Sequence, residues 1–200
     1  MTENDPLAGT QRELGTPDTP AGEGRSVRLR RRYDSPIEDV WDACTVPDRL
    51  NRWFLPVTGD LRVGGAFALQ GNAGGEILAC EPPRLLTVSW VFGDRPPGQV
   101  RLRLSPDGAD ATVLELEHVN ATRLVEVDGR MVDVALNDPI SGIWGLGVGW
   151  ELPLVFGLAR YLRGELPDAP AIEWYQPTPE DLAAADRAGA AWAALAPSAR

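Results

Sequence analysis

The sequence predicts an α+β fold in a single domain: a strand, two short helices, a run of antiparallel strands, then a long helix. Three observations predict it. Apolar residues alternate with charged ones over residues 26–33, recur at helical spacing over 37–44, and return to alternation, punctuated by glycine, from Pro56 onward. Hydrophobic residues make up 44% of the 200 and charged residues 24%, so a packed core is within reach.

Residues 1–24 are polar and rich in Gly, Pro, Thr and acids, without an apolar face to offset ordering entropy, and are expected to be disordered. The domain proper is expected over 25–163. Its first strand, SVRLRRRY, puts Val27, Leu29 and Tyr33 on one face and Arg28, Arg30 and Arg32 on the other, with Arg31 the exception on the apolar side. Ser35-Pro36-Ile37-Glu38 reads as a capping box, and Ile37, Val40, Trp41 and Cys44 follow as a helical stripe. A second short helix begins at Pro47, with Leu50, Trp53 and Phe54 sharing a face.

Six strands are expected next, at 59–63, 66–70, 75–81, 85–92, 99–105 and 111–119. Ser105-Pro106-Asp107-Gly108 suits a hairpin turn. Phased across it, Arg101 and Arg103 meet Glu115 and Glu117 on the outer face, while Leu102, Leu104, Leu114, Leu116 and His118 point inward, as does Trp90 on the strand before. Residues 122–136 suggest an extra hairpin around Asp128-Gly129. Because proline is tolerated in a first helical turn, Pro153 places the start of the last helix near Gly149 and Gly164 its end. Residues 164–200 form an extension with a helix capped at Thr178.

Composition removes several functions. The net charge is −10, most of it carried by the two ends, which disfavours nucleic acid and anionic membranes as partners. All 19 basic residues are Arg, so lysine Schiff-base chemistry is out. One His and two distant Cys supply no metal site, and no cofactor motif stands out: Gly145-Leu-Gly147-Val-Gly149 lacks the Walker lysine and the dinucleotide-binding spacing, and reads as close packing of a loop. The apolar run 140–158 carries Glu151, Pro153 and five glycines, so no membrane span is expected. With no secretory signal, Cys44 and Cys80 read as reduced thiols of a cytoplasmic protein.

That element order is a helix-grip arrangement, a curved antiparallel sheet wrapped on a long C-terminal helix. Residues 40–54, VWDACTVPDRLNRWF, resemble the helical motif of bacterial relatives of the activator of heat-shock-protein-90 ATPase, a branch of the START-like (SRPBCC) superfamily. Gly75-Glu76-Ile77-Leu78 with Pro82-Pro83-Arg84-Leu85-Leu86 through Trp90, the strand ending in His118, and Gly147-Val148-Gly149-Trp150-Glu151 are similar to its further motifs. Val46 departs from the acidic residue usual before Pro47.

The resemblance implies an apolar cavity between sheet and helix, used in the superfamily for small apolar or amphipathic molecules. By inward phase, Trp53, Phe67, Trp90, Leu102, Leu116, His118, Trp150 and Leu154 are the residues expected to line it. The expected function is therefore binding of a small hydrophobic or amphipathic ligand without turnover. Two alternatives stand beside it: a co-chaperone-like activator of a partner ATPase, and a cyclase- or hydratase-like enzyme whose catalytic candidates are His118 and Glu151 as an acid/base pair. The same two residues have a plainer reading, a satisfied core histidine and a carboxylate serving a helix dipole.

Overall fold

The computed structural model describes residues 5–19, 22–93, 95–121, 124–127, 130–133 and 143–195. Its main sheet is wholly antiparallel and is built from β1 (Gln11–Gly15), β2 (Asp18–Thr19), β3 (Gly22–Tyr33), β4 (Val57–Gly59), β5 (Ala66–Leu69), β6 (Gly74–Glu81), β7 (Leu85–Trp90), β8 (Gly98–Pro106) and β9 (Thr112–Ala121). The order across it is β1-β3-β9-β8-β7-β6-β5-β4, with β2 on β3. Between β3 and β4 lie α1 (Ile37–Thr45) and α2 (Pro47–Leu50). This is the α+β helix-grip architecture read from the sequence.

The sheet's two faces follow the alternation. Val27, Leu29 and Tyr33 are buried with Val100, Leu102, Leu104, Leu114 and Leu116 in one core. On the other face Arg28 pairs with Glu117 at 2.9 Å and with Glu13 at 3.0 Å, and Arg101 reaches Glu117 at 3.3 Å, as cross-strand register requires. Asp107 N–H donates to the Ala111 carbonyl at 2.8 Å and Gly108 takes a positive φ of 80°, closing the expected β8–β9 turn. A small hairpin, β10 (Leu124–Val127) with β11 (Arg130–Asp133), forms where the sequence suggests one; Asp128 and Gly129 themselves lie outside the described residues.

A helical rod packs on the concave face. It runs as α3 (Ile143–Leu152), a π-helical segment (Pro153–Leu158) and α4 (Ala159–Leu162), and ends at Gly164 with φ of 70°. Its start corrects the expectation of Gly149. Pro153 opens a segment where the backbone widens: Ala159 N–H reaches back five residues to the Leu154 carbonyl, and the Tyr33 hydroxyl donates to that same carbonyl at 3.1 Å. The glycine run is thus helical and not a loop. Its tight contact is Gly147, where an added Cβ would lie 2.5 Å from the Trp192 ring.

Three further expectations are corrected. Residues 11–15 are not disordered but form β1, paired along β3, and Leu7 is buried against Val155, Ala184 and Ala188. What the segment lacks in periodicity it gains from a long open edge of β3 and from one apolar anchor. Ser35 does not cap α1; its hydroxyl bonds the Asp39 carboxylate. Residues 60–63 are turn rather than strand, since pairing with β5 ends at Gly59. After α5 (Ala171–Trp174), α6 (Pro179–Ala193) begins with the expected cap, a reciprocal Thr178–Asp181 capping box. Among the described residues no helix is long and apolar enough to cross a membrane.

Candidate functional site

Between sheet and rod lies a pocket of about 180 Å³. The strands supply alternate residues of its floor: Ile77, Leu86, Val88, Val100, Leu102 and Leu116. The α1–α2 region supplies Cys44, Leu50, Trp53 and Phe54, and the rod supplies Trp150 and Leu154, one helical turn apart. Phe67 closes it from β5. Of the eight residues expected to line a cavity, seven do so here: Trp53, Phe67, Trp90, Leu102, Leu116, Trp150 and Leu154. His118 does not. It lines a neighbouring pocket of about 270 Å³ with Asn72, Arg95 and Asn120.

Three rings, Phe54, Trp90 and Trp150, belong to both pockets. Trp90 and Trp150 lie 5.0 Å apart between ring centroids, and Phe54 stacks on Trp150 at 5.8 Å. They form an aromatic partition between the apolar pocket and a neighbouring one that also carries polar side chains.

The partition is held by a polar relay. Trp150 Nε1–H donates to His118 Nδ1 at 2.9 Å. An indole N–H is donor only, so Nδ1 is an acceptor and the remaining ring proton sits on Nε2, where it donates to Asn120 Oδ1 at 3.1 Å. Burial holds the His118 pKa down at about 4, with the Asn120 bond opposing. The imidazole is neutral and both its nitrogens are engaged. Gly98 makes room for this: a Cβ there would lie 2.3 Å from Asn120 Oδ1 and 3.1 Å from His118 Nε2.

Glu151, the other catalytic candidate, faces elsewhere. Its carboxylate is fully buried, accepts Arg12 Nε at 2.8 Å and Trp192 Nε1 at 3.0 Å, and takes a second bond from the Arg12 guanidinium. It lines neither pocket. Adjacent residues on a helix point about 100° apart, which sends Trp150 to the partition and Glu151 to the clasp between β1 and α6. The expected acid/base pairing with His118 is therefore corrected: the two share no partner and no pocket, and Glu151 is well beyond the first turn of its helix.

Cys44 and Cys80 form no disulfide and both line the apolar pocket. Burial raises the Cys44 thiol to about 12 and also raises Cys80, which keeps them as thiols rather than thiolate nucleophiles. Among the described residues no group of His, Cys, Asp or Glu is arranged to hold a metal ion.

Sequence reasoning missed Phe54, Asn120, Asn72 and Arg95. Asn120 was within reach, because it continues the inward phase of Leu114, Leu116 and His118. Asn72 and Arg95 sit on loops whose course no periodicity reveals.

The family described as Activator of Hsp90 ATPase homolog 1-like protein matches residues 34–135. Among solved structures, CalU16 from Micromonospora echinospora is similar in its crystal form at 45% identity, over 93% of this chain and 97% of that one, with a TM-score of 0.73. Its solution structure gives 47% identity, 93% and 94% coverage, and a TM-score of 0.74. DynU16, a protein in the dynemicin biosynthetic locus, is 26% identical over 79% of this chain and 59% of its own, with a TM-score of 0.56. No curated protein matches significantly.

Proposed function

We propose that this chain, which belongs to the Activator of Hsp90 ATPase homolog 1-like family, is a binding module that holds the apolar body of a small amphipathic molecule between sheet and helical rod. The family and its fold support a ligand-binding or activator-homologue role. One observation favours the first: the pocket lined by Trp53, Phe67, Leu102, Leu116 and Leu154 has apolar and aromatic side chains from every element around it. At about 180 Å³ it exceeds the roughly 150 Å³ of an apolar cavity that admits benzene, so it suits a ring-sized body and not a long lipid chain.

DynU16 lies in a biosynthetic locus, which supports a biosynthetic small molecule as the ligand class. Turnover is not part of the reading, because His118 has neither ring nitrogen available as a base and Glu151 is committed to Arg12 and Trp192. A cytoplasmic location belongs to the same reading, supported by the two free thiols.

The test is native mass spectrometry of protein from its own host, followed by fluorescence titration with N-phenyl-1-naphthylamine, an uncharged probe of naphthyl and phenyl rings. Leu86 is half-buried on the pocket floor, and Leu86→Trp fills the space. The wild type should bind the probe and the variant should not. Probe binding unaffected by Leu86→Trp would reject the pocket. An ATPase stimulated equally by both proteins, with no probe bound by either, would favour the activator-homologue role.

A further inference from the structure

The face of the sheet turned away from the rod carries two rows with the same charge pattern. In one, Arg28, Glu117 and Arg101 stand side by side on β3, β9 and β8, and Glu117 accepts both arginines, at 2.9 and 3.3 Å. In the other, Arg30, Glu115 and Arg103 stand in the same order on the same strands. There the matching ion pairs do not form. The Glu115 carboxylate lies instead 3.9 Å from Arg28, and Arg30 is left with the side-chain oxygen of Gln11 at 3.3 Å.

This open row borders a depression of about 360 Å³, which Arg84, just before β7, also lines. Among the described residues the guanidinium groups of Arg84 and Arg103 have neither a hydrogen-bond nor an ion-pair partner, and both residues are exposed. Half-buried Leu85 and Val113 supply apolar lining beside them. The carboxylate within the depression is Glu115; Glu81, opposite Leu85 on β6, lies outside it. Three guanidinium groups thus share one carboxylate there, a local positive surplus on a chain of −10.

Spacing narrows what this surplus suits. Neighbouring strands run about 4.8 Å apart, so Arg30 and Arg103 are rooted roughly 10 Å from each other, and Arg84 is one strand further. Such a spread matches carboxylates carried at successive positions of a peptide, which advances about 3.3 Å per residue when extended. A guanidinium fork takes each carboxylate by two parallel charge-assisted bonds.

We propose that this depression docks an acidic segment of a partner protein, with carboxylates on Arg30, Arg84 and Arg103 and an apolar side chain against Leu85 and Val113. The proposal is independent of the apolar-pocket reading, which concerns the opposite face of the sheet. At physiological ionic strength fields fade over about 8 Å, so a segment seated here senses these arginines more than the total charge of the chain.

The probe is a rhodamine-labelled peptide of glutamates around a single leucine, titrated by fluorescence anisotropy at about 0.15 M ionic strength, beside the same peptide with glutamine in place of glutamate. The wild type should bind the acidic peptide and not the glutamine one. Arg84→Gln and Arg103→Gln should each weaken binding about threefold, and the double variant about tenfold. Arg101→Gln takes an arginine from the closed row and should stay within about twofold. Thermal melts accompany all four variants. An equal loss in Arg101→Gln would trace the effect to total charge and overturn the proposal, as would a wild type that does not bind the acidic peptide. Displacement of the peptide by inorganic phosphate, where chloride at equal ionic strength has no effect, would leave a small-anion site and overturn it too. N-phenyl-1-naphthylamine titrations should be unchanged in every variant, so failure here leaves the apolar pocket standing.

Discussion

His118 shows how much one side chain's surroundings decide its role. A lone inward histidine at the end of a strand suggests a base, yet its two nitrogens hold Trp150 and Asn120 in place. Its pKa of about 4, against 6.5 for the free side chain, has a consequence for stability. Between those values the unfolded chain takes up a proton that the folded chain refuses, so stability falls as pH drops through the window, and below about 4 this residue adds no further loss. The full effect is about 3 kcal/mol. His118→Asn, which cannot titrate, should therefore lose less stability than the wild type between pH 7 and 4.5. Urea denaturation of both proteins at the two pH values measures the difference; equal losses would mean that His118 charges freely in the folded state.

Among elements, the helical rod departs furthest from what its residues prefer. Gly145, Gly147, Gly149, Pro153 and Gly157 all weaken a helix in isolation, and tertiary packing overrides them. The glycines are not equivalent. Gly147 is pressed against Trp192, and at Gly157 a Cβ would lie 2.5 Å from the Trp53 carbonyl, whereas at Gly149 nothing lies within 4 Å. Gly149→Ala should accordingly stabilise by up to about 1 kcal/mol through helix propensity. Gly147→Ala gains the same propensity but drives a methyl into a fully buried indole, and the overpacking of about 1–3 kcal/mol should win. Opposite shifts in urea midpoint are the expected result; stabilisation by both would mean Trp192 yields.

For the whole molecule, the segments legible in the sequence were those whose burial repeats. The period-two strands β3, β7, β8 and β9 disclosed both faces of the sheet, and seven of the eight pocket residues followed from their phase and that of neighbouring helices. What stayed hidden depends on single long-range contacts. QRELG carries no alternation that marks it as β1; its partner edge on β3 and the Arg12–Glu151 pair make it a strand. The rod's start at Ile143 was hidden because glycine and proline signals are local, while the contacts that overrule them come from α6 and β3.

Truncation tests this directly. Deleting residues 1–15 removes Leu7 and β1 and strips Glu151 of its cation, leaving a buried carboxylate with Trp192 alone. A loss of about 3 kcal/mol, or roughly 10 °C in melting temperature, is expected. Glu151→Leu in the truncated chain should recover part of it, since no charge is then left buried. A truncated chain that melts like the full one would show that the clasp contributes nothing.

The same clasp sets a timetable. Arg12 and Glu151 stand 139 residues apart in sequence, so their meeting closes a loop spanning most of the chain, and an encounter of that range awaits a nearly assembled sheet. Interactions absent from the folding transition state act on the rate of opening rather than of closing. Glu151→Gln should thus leave the refolding limb of a stopped-flow denaturant series almost unmoved and raise the unfolding limb. Slowed refolding would place the pair in the nucleus instead. With the first arrangement, the latest bond to form is also the one that governs how long the native state lasts, and its lifetime is set at the far side of the rod from the pocket.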